Sequence, residues 1–198
     1  MIARWLLLLL PLWLLAGCAS FQEVPSSAAP LQSQVRDQPF DVGGRLAVNL
    51  DGKGHVAGFD WQHTPDSDQL AIKTPVGNTV ASLHRDSHGV TLLADGQEQF
   101  ASDVETLTER QLGWPLPLAN LVWWVRGHPA PLIPYTTTPE GHLLQQGWLI
   151  RIHRDAANPA QPRRVELERE GLTIRLVLSD WRQFVPLQSD TVTVVPAP

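Results

Sequence analysis

The sequence predicts a mainly β protein, one large curved antiparallel sheet of roughly ten or eleven strands with a helical insertion on its concave side. Three observations carry this. Short runs of alternating apolar and polar residues recur along the chain, separated by turn pairs such as Asp51-Gly52, Asp95-Gly96 and Glu170-Gly171. One internal run, 112–127, breaks that rhythm and repeats apolar residues at helical spacing, at Leu118, Leu121, Val122 and Val125. Strand-like sequence flanks that run on both sides. A helix made apolar over most of its surface by Trp123 and Trp124 needs cover on most sides. A closed barrel of this strand number would leave its interior partly unfilled, which favours an open sheet.

Residues 1–17 read as an export signal. Arg4 supplies the positive end, and the apolar run from Trp5 to Ala16 is too short for a bilayer, where about 20 residues are needed. The run ends in Leu15-Ala16-Gly17-Cys18, a lipobox of the kind cut before cysteine in bacterial lipoproteins. Cys18 is the only cysteine, so it reads as a lipid attachment point, and an intrachain disulfide is excluded. In enteric-type bacteria an Asp after that cysteine retains a lipoprotein at the inner membrane. Here Ala19 follows, which points to the outer membrane. Residues 18–38, rich in Ser, Pro, Gln and Ala, read as a flexible tether.

The folded domain is expected over residues 39–185. Its first strand spans 40–50, where Phe40, Val42, Gly44, Leu46, Val48 and Leu50 share one face. A turn at Asp51-Gly52-Lys53-Gly54 leads into a return strand over 55–63 with Ala57, Phe59 and Trp61 together, and a third strand over 69–74. The loop Thr74-Pro75-Val76-Gly77-Asn78 sets one bare apolar side chain, Val76, among turn formers. Strands over 79–85 and 90–94 and a short one ending at Phe100 complete a meander. Ser102-Asp103-Val104-Glu105 reads as a capping box with Ser102 as the cap. The short helix it opens turns Val104, Leu107 and Leu112 inward and stops at Gly113. Pro115 and Pro117 preclude a regular central strand at the start of the 112–127 run, and Gly127 ends its helix. Residues 128–138 are Pro-rich and read as irregular, 143–153 as two short strands broken at Gly147, and 154–162 as a loop. Strands over 163–170 and 172–181 form a last hairpin, with Leu172, Ile174, Leu176 and Leu178 on one face. Residues 186–198 read as a disordered tail.

The chain carries 15 basic against 20 acidic side chains, a formal net charge of −5. It has no basic patch, which argues against nucleic acid as a partner. There is no internal repeat, no Gly-x-Ser-x-Gly elbow and no phosphate loop. His84 and His88 are four apart, but turn residues between them prevent a shared helix face, so no metal site is expected. No cofactor and no catalytic residue is expected either. Arg45, Arg126 and Arg175 lie among apolar residues, with stems expected to pack and heads to reach water.

A set of short motifs remains: Gly44-Arg45-Leu46-Ala47-Val48, Phe59-x-Trp61, Pro75-Val76-Gly77, Leu112-Gly113-Trp114-Pro115-Leu116-Pro117-Leu118, Trp124-Val125-Arg126-Gly127, Gln146-Gly147-Trp148, and Ile174-Arg175-Leu176-Val177-Leu178 before Trp181. In this order and spacing they resemble the LolB family of outer-membrane lipoproteins, over about 40–181. The resemblance implies an unclosed, half antiparallel β-barrel whose helices lid a hydrophobic hollow. It implies a receptor anchored through Cys18 at the periplasmic face of the outer membrane. Such a receptor accepts lipoproteins from a LolA-like periplasmic carrier, holds their acyl chains in the hollow, and inserts them among outer-membrane lipids without nucleotide or catalysis. It also implies that Pro75, Val76 and Gly77 form a membrane-insertion loop. The residue associated with the exposed position in the family is leucine, and this chain carries Val76. Phe59, Trp61, Trp114, Trp123, Trp148 and Leu176 are the candidate lining of the hollow, and a monomer is expected. The alternatives are a lipid-binding lipoprotein of another glycolipid or phospholipid pathway, and an anchored enzyme or inhibitor, which would need a polar cleft of convergent ionisable groups. Mass spectrometry of the mature N-terminus is expected to find an acylated Cys18, and an unmodified cysteine there contradicts the anchor.

Overall fold

The computed structural model describes residues 37–184. The export signal, Cys18, the tether up to residue 36 and the tail from residue 185 lie outside the described residues. The strands are β1 (Phe40–Leu50), β2 (Lys53–His63), β3 (Asp68–Lys73), β4 (Thr79–Asp86), β5 (Gly89–Ala94), β6 (Gln97–Ala101), β7 (Tyr135–Thr137), β8 (Leu143–Gln145), β9 (Trp148–Asp155), β10 (Asn158–Arg169) and β11 (Leu172–Arg182). They form one 11-stranded sheet in the order β6-β5-β4-β3-β2-β1-β11-β10-β9-β8-β7. Every neighbouring pair is antiparallel. Two meanders, β1 to β6 and β7 to β11, meet at the β1–β11 ladder, and among the described residues β6 and β7 are the free edges. The sheet is not closed into a barrel.

The helices α1 (Val104–Leu112) and α2 (Leu118–Trp124) lie in the connection from β6 to β7, from one free edge to the other. Such a connection has to cross a face of the sheet. Alternation decides which face. Register sets Val42 opposite Trp61, Trp61 opposite Leu70, Leu70 opposite Leu83 and Leu83 opposite Leu92, a buried row across five strands. A one-residue slip would turn a strand's whole apolar set outward. Leu118, Leu121, Val122 and Trp124 of α2, each at most 3% exposed, join the same core. Gly127, with φ of 84°, closes the turn after α2: its N–H donates to the Trp124 carbonyl at 2.9 Å and the His128 N–H to that of Trp123 at 3.0 Å. This pairing satisfies carbonyls at the helix end that would otherwise lack partners.

Four local expectations need correction. The cap of α1 is Asp103, not Ser102, because the Asp103 carboxylate accepts from the Thr106 N–H at 2.8 Å. Leu112 is 44% exposed. Thr108, one turn after Val104, takes the inward position and holds the Leu116 N–H at 2.8 Å, and Gly113 ends the helix in a left-handed conformation. Residues 158–162, read as a loop, belong to β10, whose pairing with β9 shifts register at Pro162. Within 128–138, read as irregular, Tyr135–Thr137 pairs as the edge strand β7.

Because the strands alternate in direction, their connections sort onto two rims. The upper rim carries the turns at 51–52, 75–78, 95–96, 146–147 and 170–171. The lower rim carries those at 64–67, 87–88 and 156–157, together with the start of β1.

Gly44 sits at the register shift where β11 accommodates one extra residue, Ser179. A Cβ there would collide with the backbone carbonyl oxygen of Val177. Gly44→Ala is expected to lower stability by about 1–3 kcal/mol in urea unfolding. Gly58→Ala, where a Cβ meets only ordinary van der Waals contacts, should be tolerated.

Candidate functional site

Two features stand out: an apolar tip on the upper rim and a helical cover over the inner face. The tip is the 75–78 loop. The Gly77 N–H donates to the Thr74 carbonyl at 2.9 Å, the Thr74 N–H to the Asn78 carbonyl at 2.8 Å, and the Asn78 N–H to Thr74 Oγ1 at 3.2 Å. Pro75 has its φ set by its ring, and Gly77 takes a φ of 93° that a side chain would resist. With its backbone so constrained, the loop leaves Val76 82% exposed.

The six candidate lining residues divide. Phe59 and Trp61 on β2, Trp148 on β9 and Leu176 on β11 are buried in the core, while Trp114 and Trp123 are only partly buried and pack against it. Trp124, not proposed from sequence, is the wholly buried tryptophan of α2. The apolar side chains of α2 and of the sheet's inner face belong to one buried core. A depression of about 640 Å³ lies on the opposite face of the sheet, among polar residues including Asp41, Asp60, Gln69, His84 and Arg182. None of the six lines it. Its charges are mutually satisfied: Arg182 bridges Asp41 and Asp60, and Lys73 also pairs with Asp60. Burial pushes the Asp60 carboxyl up, and Lys73 and Arg182 outweigh it, so the carboxyl stays below the usual range. Arg45 and Arg175 are exposed, the latter paired with Glu166 at 3.1 Å.

Polar bonds among the described residues tie the cover to the rest of the domain. Trp124 Nε1 donates to Gln145 Oε1 at 2.8 Å, and Asn120 Nδ2 donates to Gln146 Oε1. Arg126, just past α2, lies 5.2 Å over the Trp123 ring and 3.3 Å from Asp37. Asp37 in turn meets His63 Nε2 at 2.8 Å, and His63 Nδ1 lies 2.7 Å from Asp68. Trp61 Nε1 and Arg85 also donate to Asp68. This lower-rim cluster, with His63 and Asp68 each 1% exposed, was not singled out from sequence. Its only signal there is that both residues flank the 64–67 turn. Among the described residues, no three His, Cys, Asp or Glu side chains gather where they could hold a metal ion.

Comparison with known proteins gives these features a context. The family model described as outer membrane lipoprotein LolB matches residues 38–181, which takes in the β1–β11 ladder, the helical cover and both rims. The chain belongs to the LolB family. The outer-membrane lipoprotein LolB of Chromobacterium violaceum is 55% identical over 92% of this chain and 100% of that protein. Its counterpart in Thiobacillus denitrificans is 35% identical over 86% of this chain and 92% of that protein. Among solved structures, a LolA superfamily protein from Nitrosomonas europaea aligns with a TM-score of 0.44 at 10% identity, covering 76% of this chain and 88% of that one. The resemblance read from the motifs is borne out, and with it a lipid-anchored place at the outer membrane. LolB proteins serve in lipoprotein localisation and are not known as enzymes.

The lower-rim cluster of this LolB domain has a pH signature. Burial pushes the Asp68 carboxyl up, but the bonds from His63, Trp61 and Arg85 outweigh it and hold it below the usual aspartate range. A carboxylate depressed in the folded state contributes its stability fully above the unfolded-chain value of about 4 and loses it as pH falls through the folded value. Asp68→Asn is expected to cost about 3 kcal/mol at neutral pH by leaving buried partners uncompensated. It should also flatten the acid-side loss of stability below about pH 4 in urea titrations run at stepped pH.

Proposed function

We propose that this protein accepts lipoproteins from a LolA-like periplasmic carrier and inserts them into the outer membrane that holds its own anchor, acting as a monomer and without nucleotide. The family assignment supplies the class. The observation that carries the finer reading is the joint presence of a constrained, exposed apolar tip at Val76 and an apolar inner face covered by the short helix α2.

The physical problem is the transit of acyl chains through water. Three chains hold roughly 40 methylenes, and at about 0.8 kcal/mol each their exposure costs about 30 kcal/mol. The chains must therefore pass from one apolar surface to another. In the proposed cycle α2 lifts from the sheet and acyl chains take its place against Phe59, Trp61, Trp148 and Leu176, with Trp114 and Trp123 at the margin. Apolar contact replaces apolar contact, so the net change is small. What must be broken includes the polar ties at Gln145, Gln146 and Asp37, each contributing about 1 kcal/mol. No bond in the cargo is made or cut. Direction needs only a modest affinity step from carrier to acceptor to membrane, about 1.4 kcal/mol per factor of ten.

Val76, with Pro75 and Gly77 shaping its turn, enters the bilayer and lets the cargo follow. Valine carries less apolar surface than leucine, so its insertion is correspondingly weaker. In a transfer assay with a LolA–lipoprotein complex and vesicles, Val76→Glu is expected to take up cargo normally and deliver it at least tenfold more slowly, since a charge at the tip opposes entry into hydrocarbon. Normal delivery by Val76→Glu contradicts the role of the loop, and failure to accept cargo by the native protein contradicts the function.

A further inference from the structure

The segment between α2 and β7 carries a feature that the proposed cycle leaves unused. Leu132 is 92% exposed, and its φ is +61°, a left-handed conformation that a leucine adopts only when its surroundings impose it. The imposing group is Gln145, which is 2% exposed. Gln145 accepts from the Ala130 N–H at 2.9 Å and donates to the carbonyls of Ala130 at 2.8 Å and Ile133 at 2.9 Å. Both feet of the loop are thereby fastened to β8, and Pro131 and Pro134 stiffen it. A buried amide holds an apolar side chain out into water, against the local preference of its backbone.

Topology sets this second tip on the same rim as the first. Leu132 lies three residues before Tyr135, which pairs with Gln145 beside the 146–147 turn of the upper rim. The Val76 loop joins β3 to β4 on that rim, and Leu132 stands beside the opposite free edge, at β7. Neither 75–78 nor 129–134 contains a charged residue.

We propose that Leu132 is a second membrane-contacting tip, which with Val76 seats the upper rim on the bilayer that holds Cys18. The chain between anchor and domain argues for a lipid surface as the occupant. Residues 19–36 separate Cys18 from Asp37 and, at about 3.3–3.6 Å per residue, reach at most ~65 Å. Asp37 meets His63 on the lower rim, and the strands of 11 or 12 residues that separate the rims are about 36–40 Å long. The tether is long enough for the upper rim to turn back onto the anchoring bilayer. Uncharged tips suit hydrocarbon, whereas a protein-docking patch carries a polar rim. The inference rests on the proposed function only for the part played by Val76, and the contact at Leu132 is read on its own.

The test uses the mature lipidated protein in phosphatidylcholine vesicles. With the Cys18 sulfur acylated, Leu132→Cys offers a free thiol for an environment-sensitive dye. Its emission is expected to shift to the blue and to be quenched by phosphatidylcholine brominated on its acyl chains, while the same dye at Ala156→Cys on the lower rim is not. A dye at Val76→Cys, read in parallel, separates failure of this inference from failure of the proposed function. Because a dye is itself apolar, Leu132→Gly is made in the Val76→Cys background. Glycine accepts the left-handed backbone, so the melting temperature should hold or rise, yet quenching at position 76 should fall several-fold. Quenching at 132 no stronger than at 156, an undiminished signal at 76 in the glycine variant, or a shift at 132 that requires added carrier protein in place of lipid, each overturns the proposal.

Discussion

The ladder between β1 and β11 is the constraint from which the rest of the architecture follows. It joins the first and last strands, so the two meanders share one sheet, and the strands in the middle of the chain become its edges. The chain from β6 to β7 must then pass over the sheet, and that passage is where the apolar helical run falls. Gly44 and the extra residue at Ser179 let β1 and β11 approach closely along the ladder. Cover and sheet are thus one continuous chain, with the apolar surface of α2 facing that of the strands.

The cover is apolar at its centre and polar at its two ends. Trp124 and Asn120 are bonded to Gln145 and Gln146 near the upper rim, and Arg126 meets the Asp37–His63–Asp68 chain at the lower rim. Apolar contact is non-directional and can be exchanged for any other hydrocarbon. The polar ties are directional and fix one docked position. In the proposed exchange, the first property permits an acyl chain to replace α2, and the second defines where α2 returns.

The sequence made the periodic part of this structure readable. Period-two runs between Gly-containing turns marked nearly every strand, and the Leu118, Leu121, Val122, Val125 spacing marked α2. Where the reading failed, two local rules competed or a distant partner decided. Ser102 and Asp103 are both good caps, and only the position of the Thr106 N–H selects between them. Residues 154–162 read as a loop, yet β10 takes in Pro159 and Pro162, which donate no ladder bond, through shifts in its register with β9. His63 and Asp68 were not singled out, since what brings them together with Asp37 and Arg126 is contact between residues far apart in sequence. The same is true of the site. The turn marked Val76 as an unusual apolar residue and the family resemblance implied that it projects, whereas the volume left between sheet and helix depends on how Trp124 packs, which no pattern of polarity encodes.

The lengths of the two outermost strands matter for a domain crowded onto a surface with copies of itself. Interior strands such as β1, β10 and β11 run to 11 or 12 residues, but β6 has 5 and β7 only 3. An outermost strand presents unpaired backbone groups that invite another chain to extend the sheet. Attachment to a membrane confines such neighbours to two dimensions and raises their encounter rate. With so little ladder on offer at either margin, adjoining copies gain few hydrogen bonds from zippering together, so the population can stay dispersed on a surface that would otherwise favour polymerisation.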